Sequence, residues 1–144
     1  MKAYDSEFMP NIQANFVLFG EIKDEKGLNI ITRKIGINPT DTRLIMDLPQ
    51  GDRRRLYLKD DWEISIIRER AFCISNQLNI ILIMLSEKRD IIKELQKAFS
   101  LETFIGLSIH TNRTEGYPKM VFSREFIELA AYLNARVGID HYRY

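Results

Sequence analysis

Apolar residues recur at three- and four-residue intervals between Phe72 and Phe99, and this pattern predicts the longest helix of the chain. The stripe consists of Leu78, Ile81, Leu82, Leu85, Ile92, Leu95 and Phe99. Such spacing places these side chains on one face of a helix with 3.6 residues per turn. Ser75 and Ser86 could each accept a backbone N–H at a helix start. We therefore expect one long bent helix or two helices in series.

The first half of this helix is apolar on more than one side. Ile80, Ile83 and Met84 lie outside the stripe and widen its apolar surface. Because a helix that is apolar over a wide arc is usually buried, we expect this half to be covered on more than one side.

A strand and a helix are predicted near the start of the chain. The apolar run 16–19 before Gly20 is typical of a buried strand. Asp24 is a candidate N-cap for the helix that follows, and Gly36 suits its left-handed C-cap. Residues 1–12 are polar and contain Pro10, so we expect a flexible leader, with a single domain at 13–144.

Short strands are predicted on both sides of the long helix. Before it, the expected elements are a short strand at 42–46, an extended segment at 55–58, a turn at 59–61 and a strand at 62–66. After it, we expect a strand at 105–109, a hairpin loop at 112–118, a strand at 120–122, a helix capped by Ser123 and a strand at 137–142. Alternation of apolar and polar residues is the basis for the strands.

This order, β-α-β-β-α(long)-β-β-α-β, predicts a single α+β domain. Its most economical architecture is a mostly antiparallel sheet with helices packed on one face. The first part is similar to a ferredoxin-like strand-helix-strand unit, a topology that hosts many functions.

Composition excludes several classes of protein. The 144 residues carry 21 basic and 20 acidic side chains, a net charge of +1, so the basic excess of a dedicated nucleic-acid binder is missing. Cys73 is the one cysteine, which excludes an internal disulfide and fits a reducing compartment. The longest uncharged run, 71–86, is too polar for a membrane span, and no signal peptide is recognisable. We expect a cytoplasmic protein that does not bind a membrane.

Candidate catalytic and metal-binding groups are few. Cys73 lies near a predicted helix start, where a thiol pKa can fall, but a buried structural role is the plainer interpretation. His110 and His141 lack a spaced carboxylate or thiol partner and match no metal motif, although they could still meet in space. No phosphate loop, nucleophile elbow or zinc-binding helix motif occurs in the sequence. We therefore predict no enzyme activity, no cofactor and no metal.

The most conspicuous charge run is Arg53-Arg54-Arg55. Three guanidinium groups could bind phosphate or an acidic protein surface. Across residues 40–70, however, basic and acidic side chains are matched one for one, which favours a solvated loop with local ion pairs. The acidic residues of this region, Asp47, Asp52, Asp60 and Asp61, match no spacing of a calcium or magnesium loop.

Three aromatic residues have two possible roles. Trp62 lies on an alternating strand, where core packing is a simpler explanation than an interface anchor. Tyr142 and Tyr144 are interpreted as residues of the last strand and its end rather than as a stacking platform.

Several of these segments together resemble the domain of unknown function 4279 family. The resemblance rests on the helix end and turn at 28–40, the Gln50-Gly51-Asp52 turn, the tryptophan strand at 61–65 and the ending at 139–142. Ile35 stands where the family more often has leucine, and the arginine-rich loop at 53–55 is a departure from the family pattern. The family is a set of small bacterial proteins without established catalytic residues.

The resemblance implies an immunity protein that binds and neutralises a cognate bacterial toxin domain. Such a protein needs a charged, partner-specific surface and no active site. The expected partner-binding residues are Arg43, Asp52, Arg53, Arg54, Arg55, Asp60 and Asp61. The alternative is a small-molecule or phosphate-binding module that uses Arg53 to Arg55 and the open face of the sheet. An enzyme would require His110 or His141 to converge with a carboxylate in a cleft.

Overall fold

The protein is described here by a computed structural model that covers residues 9–112 and 116–144. Its strands are β1 (Asn11–Gly20), β2 (Asp41–Arg43), β3 (Asp60–Ser65), β4 (Glu69–Arg70), β5 (Glu102–Thr111) and β6 (Arg136–Arg143). Its α-helices are α1 (Glu25–Ile35), α2 (Ser75–Leu85), α3 (Arg89–Ala98) and α4 (Arg124–Tyr132). Short 3₁₀ turns lie at Ile45–Asp47, Arg53–Leu56 and Ser86–Lys88. No helix within these described ranges is both long and apolar enough to cross a membrane.

The strands form a six-stranded sheet with β1 at its centre. The order across the sheet is β2-β3-β1-β5-β6, and β4 pairs with the start of β1. Every pairing is antiparallel except that of β5 with β6, which is parallel. The parallel pair is possible because α4 provides the crossover between these two strands. The predicted α+β class and mostly antiparallel sheet are confirmed.

The core lies on one face of the sheet, where the helices pack. Alternate residues of β1 are fully buried, and so is Trp62 on β3. The buried face of β1 consists of Ile12, Ala14, Phe16 and Leu18. These residues share one apolar cluster with Leu28, Ile31, Ile35, Ile81, Leu85, Ile92, Leu95, Phe126 and Leu129 from the four helices. The indole N–H of Trp62 donates to the Thr32 hydroxyl at 3.0 Å, so Trp62 is a core residue that also ties β3 to α1.

The long central helix is two helices in series, as predicted. α2 and α3 are joined end to end by the Ser86–Lys88 turn. Neither serine acts as an N-cap: Ile74 occupies the cap position of α2, and the Ser86 hydroxyl donates to the carbonyl of Leu82. The expectation that α2 would be covered on several sides is wrong for Ile83, which is 78% exposed. One buried stripe is enough to hold α2 against the sheet.

The connection between β2 and β3 differs from the sequence-based prediction. Residues 55–58 were expected to be extended and to form a hairpin with the tryptophan strand. Instead, Arg53–Leu56 is a 3₁₀ turn, and β3 pairs with β2 across the long connection 44–59. Asp52 explains this choice, because its carboxylate accepts the backbone N–H of Arg54 and caps the turn.

Two other predicted segments are also different or lie partly outside the described residues. Residues 120–122 form no strand, and the adjacent Lys119 makes an isolated bridge to Cys73 instead. The predicted hairpin loop 112–118 includes 113–115, which are outside the described residues, as are residues 1–8 of the predicted leader. β1 begins at Asn11, within the range that was assigned to the leader.

A buried glutamine fastens α2 to the sheet. Gln77 is 1% exposed, its side-chain oxygen accepts the backbone N–H of Ala14 at 2.7 Å, and its amide nitrogen donates to the carbonyl of Ile67 at 2.9 Å. Ala14 lies on β1 between the residues that pair with β3 and those that pair with β4. Gln77 therefore supplies the hydrogen bonds that the sheet lacks where it changes partner.

Candidate functional site

The face of the sheet opposite the helices carries a different set of side chains, and we call it the open face. Strand pairing places on it Arg43 of β2, Asp61 and Glu63 of β3, Asn15, Val17 and Phe19 of β1, Phe104 and Gly106 of β5, and Arg136 and Gly138 of β6. None of these residues has been assigned to the core. The open face is therefore a surface whose side chains are not explained by packing in the core.

The centre of the open face is built around the ring of Phe104. A β-carbon at Gly138 would lie 2.8 Å from this ring, and one at Gly106 would also lie 2.8 Å from it. Because real side chains avoid such close approach, the ring occupies the space that Gly138 leaves free, and at Gly106 it shares this space with the side-chain oxygen of Asn15. Phe104 thus lies against Gly106 of β5 and Gly138 of β6 and forms an apolar platform. This use of glycines 32 positions apart could not be read from their local sequence.

A groove of ≈ 370 Å³ runs beside this platform. Its apolar lining comes from Val17, Phe19 and Phe104 on the strands and from Tyr57 and Leu58 on the 44–59 connection. The volume of the groove is at the low end of the range for small-molecule pockets. The groove is shallow and has room for one protruding side chain. It lies where the connection meets the open face.

Charged side chains surround the groove. Arg43, Lys59 and Arg136 contribute positive charges, and Asp61 contributes a negative one. Arg43 pairs with Asp61 at 2.7 Å, while Glu102 lies 3.4 Å from Lys59 and 3.7 Å from Arg136. The rim of the groove therefore carries charges of both signs, and Glu63 and Asp41 are further carboxylates near Asp61.

Arg43 and Asp61 form the most constrained pair of the rim. The Nε of Arg43 is buried and has no hydrogen-bond partner among the described residues. Burial raises the pKa of Asp61 above its usual value, and the nearby Arg43 guanidinium opposes this shift without cancelling it. Both observations indicate that the pair is partly desolvated at the edge of the groove.

The arginine run lies beside the groove and does not line it. Arg54 donates to both carboxylate oxygens of Asp52, with the shortest contact at 2.7 Å. Side-chain and backbone hydrogen bonds from Arg54 lower the pKa of Asp52 to about 2. Leu56 and Tyr57 follow directly and are 85% and 70% exposed. We call residues 52–57 the arginine turn.

Asp60 has a structural role in holding the 44–59 connection. It is 7% exposed, and its two carboxylate oxygens accept the backbone N–H groups of Lys23 and Ile45 at 2.8 and 2.7 Å. The carboxylate is thus occupied and offers little surface to a partner. Of the residues selected from the sequence, Arg43 and Asp61 lie at the groove and Asp52 to Arg55 lie in the arginine turn.

The two histidines lie on neighbouring strands but on opposite faces. His110 pairs with Tyr142 on the open face, stacks on its ring at 4.8 Å and contacts the Tyr144 hydroxyl at 3.0 Å. His141 pairs with Ile109 on the other face and contacts the Thr111 hydroxyl at 2.7 Å. The tyrosines are thus part of a small stack at one end of the sheet. No His, Cys, Asp and Glu side chains of the described ranges are grouped so as to hold a metal ion.

Cys73 also lies away from the groove. Its thiol is 3.1 Å from the Ser75 hydroxyl, and hydrogen bonding by Ser75 lowers the thiol pKa. The residue is partly exposed at the start of α2, with Lys119 nearby.

Sequence reasoning missed the side chains that form the groove itself. Tyr57, Leu58 and Lys59 were interpreted as an extended segment and a turn, while Phe104 and Arg136 were not considered as site residues. The available signal was the presence of Gly106 and Gly138 in the middle of two segments where apolar and polar residues alternate. A glycine inside a strand often marks the close approach of another group.

The architecture and this surface define a single-domain α+β protein in which no helix of residues 9–112 and 116–144 covers the open face of the sheet. The chain belongs to the family described as "Domain of unknown function (DUF4279)", whose profile matches residues 10–144. No curated protein and no solved structure matches the chain.

Proposed function

We propose that this protein is a non-enzymatic binding module whose open face and arginine turn recognise another protein, specifically a cognate bacterial toxin domain that it neutralises. The observation that carries the proposal is the exposure of Leu56 and Tyr57 next to the groove. Exposed apolar side chains clustered beside a charged rim are typical of protein interaction sites.

The composition of the arginine turn supports a protein partner. Tyrosine and arginine are enriched among residues that dominate binding energies, and here Tyr57 follows Arg53, Arg54 and Arg55 within one turn. The capping of this turn by Asp52 orders its backbone before any partner binds. Ordering in advance lowers the entropic cost of association.

The charges of this surface support a selective interaction. Arg54 is already paired with Asp52, whereas Arg53 is exposed and forms no ion pair with another residue of 9–112 or 116–144. An acidic patch on a partner would pair with the free guanidinium groups, and a basic patch would be repelled by them. The partner would then contact the apolar lining of the groove and pair its acidic groups with the arginines at the same time.

The proposal is tested by co-expression in bacteria with the toxin domain encoded by the neighbouring gene. We expect the wild-type protein to restore growth and to co-purify with the toxin domain. The double variant Leu56→Ala/Tyr57→Ala is expected to weaken binding by about 30-fold or more, because truncating central anchors commonly costs about 2 kcal/mol.

Ile67→Ala is the matched control for this experiment. Ile67 is 88% exposed but lies near Ile80 and Met84, outside the groove beside Tyr57. We expect this variant to rescue growth as well as wild type does. Absence of a complex with the wild-type protein, or full rescue by the double variant, would overturn the proposal.

A second candidate is supported by the groove itself. Its apolar floor and its rim of Arg43, Lys59 and Arg136 suit a small anion with an aromatic or aliphatic part. Calorimetric titration with phenyl phosphate and with inorganic phosphate tests this candidate. Saturable binding of phenyl phosphate that is lost in Arg136→Gln and kept in Arg33→Gln, a change on the exposed surface of α1, would support it; no binding would eliminate it.

A further inference from the structure

β6 is a long strand at the edge of the sheet. The other edge strand, β2, has 3 residues, whereas β6 has 8. Within the described ranges β6 pairs with β5 alone. An edge strand of this length presents a row of backbone N–H and C=O groups that can pair with another strand.

Two of the devices that commonly protect such an edge, a β-bulge and a proline, are absent from β6. Its register with β5 is continuous from Arg136 opposite Phe104 to Arg143 opposite Thr111, so no bulge interrupts it. The strand contains no proline. Val137 and Ile139 are each 42% exposed on the helix side of the sheet. A regular strand with exposed β-branched residues favours pairing with another strand.

The charges of β6 are arranged symmetrically about Gly138. Arg136 and Asp140 lie two residues to either side of it, and strand pairing puts both on the open face. In an antiparallel pair of two copies with the two-fold axis at Gly138, Arg136 of each copy faces Asp140 of the other. The same register places Val137 of each copy opposite Ile139 of the other. Every facing pair near the axis is thus complementary.

We propose that β6 is a homodimerisation edge, at which residues 136–140 of two copies pair antiparallel about Gly138 and join their sheets into one continuous sheet. Symmetric pairing about Asp140 would put two carboxylates opposite each other. Pairing about Ile139 would put Asp140 opposite a glycine and leave both charges without partners. The Gly138 register is therefore the one that the charges select.

The side chains at the axis allow this approach. Gly138 has no side chain, and the Phe104 ring lies over it from the β5 side. Arg136 is 76% exposed, and its contact with Glu102 is long, at 3.7 Å. Its guanidinium can therefore turn towards Asp140 of the second copy with little loss of existing interactions.

Sedimentation equilibrium of the full chain over a range of concentrations tests the proposal. We expect a species of twice 16.9 kDa. Asp140→Arg places like charges opposite each other at two positions and is expected to weaken the dimer roughly tenfold or more. The double change Arg136→Asp/Asp140→Arg restores opposite charges and is expected to restore the dimer.

Glu128→Arg is the control, because Glu128 is an exposed acidic residue on α4 outside the strand. Circular dichroism confirms that each variant is folded. A monomer at all concentrations would overturn the proposal and leave the edge free for a strand of another protein. A dimer of wild type that Asp140→Arg does not weaken would also overturn it.

Disulfide crosslinking tests the register in a Cys73→Ser background. A mixture of Val137→Cys and Ile139→Cys proteins is expected to form a mixed disulfide, because these positions face each other across the dimer. Ile139→Cys alone is expected to crosslink poorly. Efficient crosslinking of Ile139→Cys to itself would instead place the axis at Ile139 and overturn the proposed register.

Discussion

The two faces of the sheet are formed by alternate residues of the same strands, yet their side chains have different surroundings. Phe16 and Val17 are neighbours on β1: Phe16 is fully buried beneath the helices, whereas Val17 lines the groove on the open face. The buried face is mainly apolar and includes the aromatic rings of Phe16 and Trp62, whereas the open face combines a phenylalanine platform, glycines and paired charges.

This difference separates the residues that pack in the core from those that shape the surface of the sheet. On the buried face, residues of similar volume could replace one another with modest loss. On the open face, Phe104 depends on two particular glycines, and Arg43 depends on one particular carboxylate. Substitutions there should alter the shape and charge of the surface more than the stability of the fold.

The largest expected effect is on the buried face. Phe16→Ala removes a fully buried ring from the core and should lower the free energy of unfolding by about 3–5 kcal/mol. Phe19→Ala, on the same strand but on the open face, is the matched control and should cost clearly less. Urea unfolding followed by circular dichroism measures both. Equal losses would show that the two faces do not differ in this way.

The platform provides the next test. Gly138→Ala places a methyl group within 2.8 Å of the Phe104 ring and should cost about 1–3 kcal/mol of unfolding free energy. Combining it with Phe104→Ala removes the clash, so the loss in the double variant should be smaller than the sum of the two single losses. Strictly additive losses in urea unfolding would mean that the ring does not rest on Gly138.

A pH series isolates the desolvated carboxylate at the rim. Since burial raises the pKa of Asp61 above 3.8, its charged form is less favourable in the folded protein than in the unfolded chain. The resulting loss of stability is complete at pH values above the pKa of Asp61 in the folded protein. It disappears at pH values below the pKa of Asp61 in the unfolded chain. The stability of Asp61→Asn relative to wild type should therefore increase as the pH rises from acid to neutral. A difference that shrinks as the pH rises would contradict this.

The smallest effect is expected in the arginine turn. Because the pKa of Asp52 is lowered in the folded protein, its charged form contributes to the free energy of unfolding. This contribution is complete above pH 3.8 and is lost as the pH falls towards about 2. A carbon-13 NMR titration of the carboxyl group should give this midpoint. In Arg54→Ala the midpoint should move up towards 3.8 because the side-chain hydrogen bonds are lost. An unchanged midpoint would show that the pair does not form in solution.

Most of the buried face could be predicted from the sequence. Helical spacing identified α2 and α3, and alternation identified β3 and β5, because burial against one layer imposes these periods directly. The same argument placed Trp62 in the core. Hydrophobic periodicity reports which side of an element is covered, and the helix layer covers one side of every strand.

The open face could be predicted less well because its features depend on residues distant in sequence. Phe104 meets Gly138 only when β6 returns beside β5, and alternation alone does not report the direction of that strand. Ile83 illustrates the opposite error: its apolar character suggested burial, but no element reaches that side of α2 in the described part of the chain. Local charges did locate the arginine turn, although its 3₁₀ form follows from the Asp52 cap.

Gln77 has a mechanical consequence for the surface on the other side of the sheet. Its amide bridges a helix to two backbone segments, so α2 cannot slide along β1 without breaking buried hydrogen bonds. These hydrogen bonds therefore fix the position of α2 behind the strands. A partner arriving at the groove would meet a surface whose curvature is already set, and the association rate would depend on collision and orientation rather than on a rearrangement of the sheet.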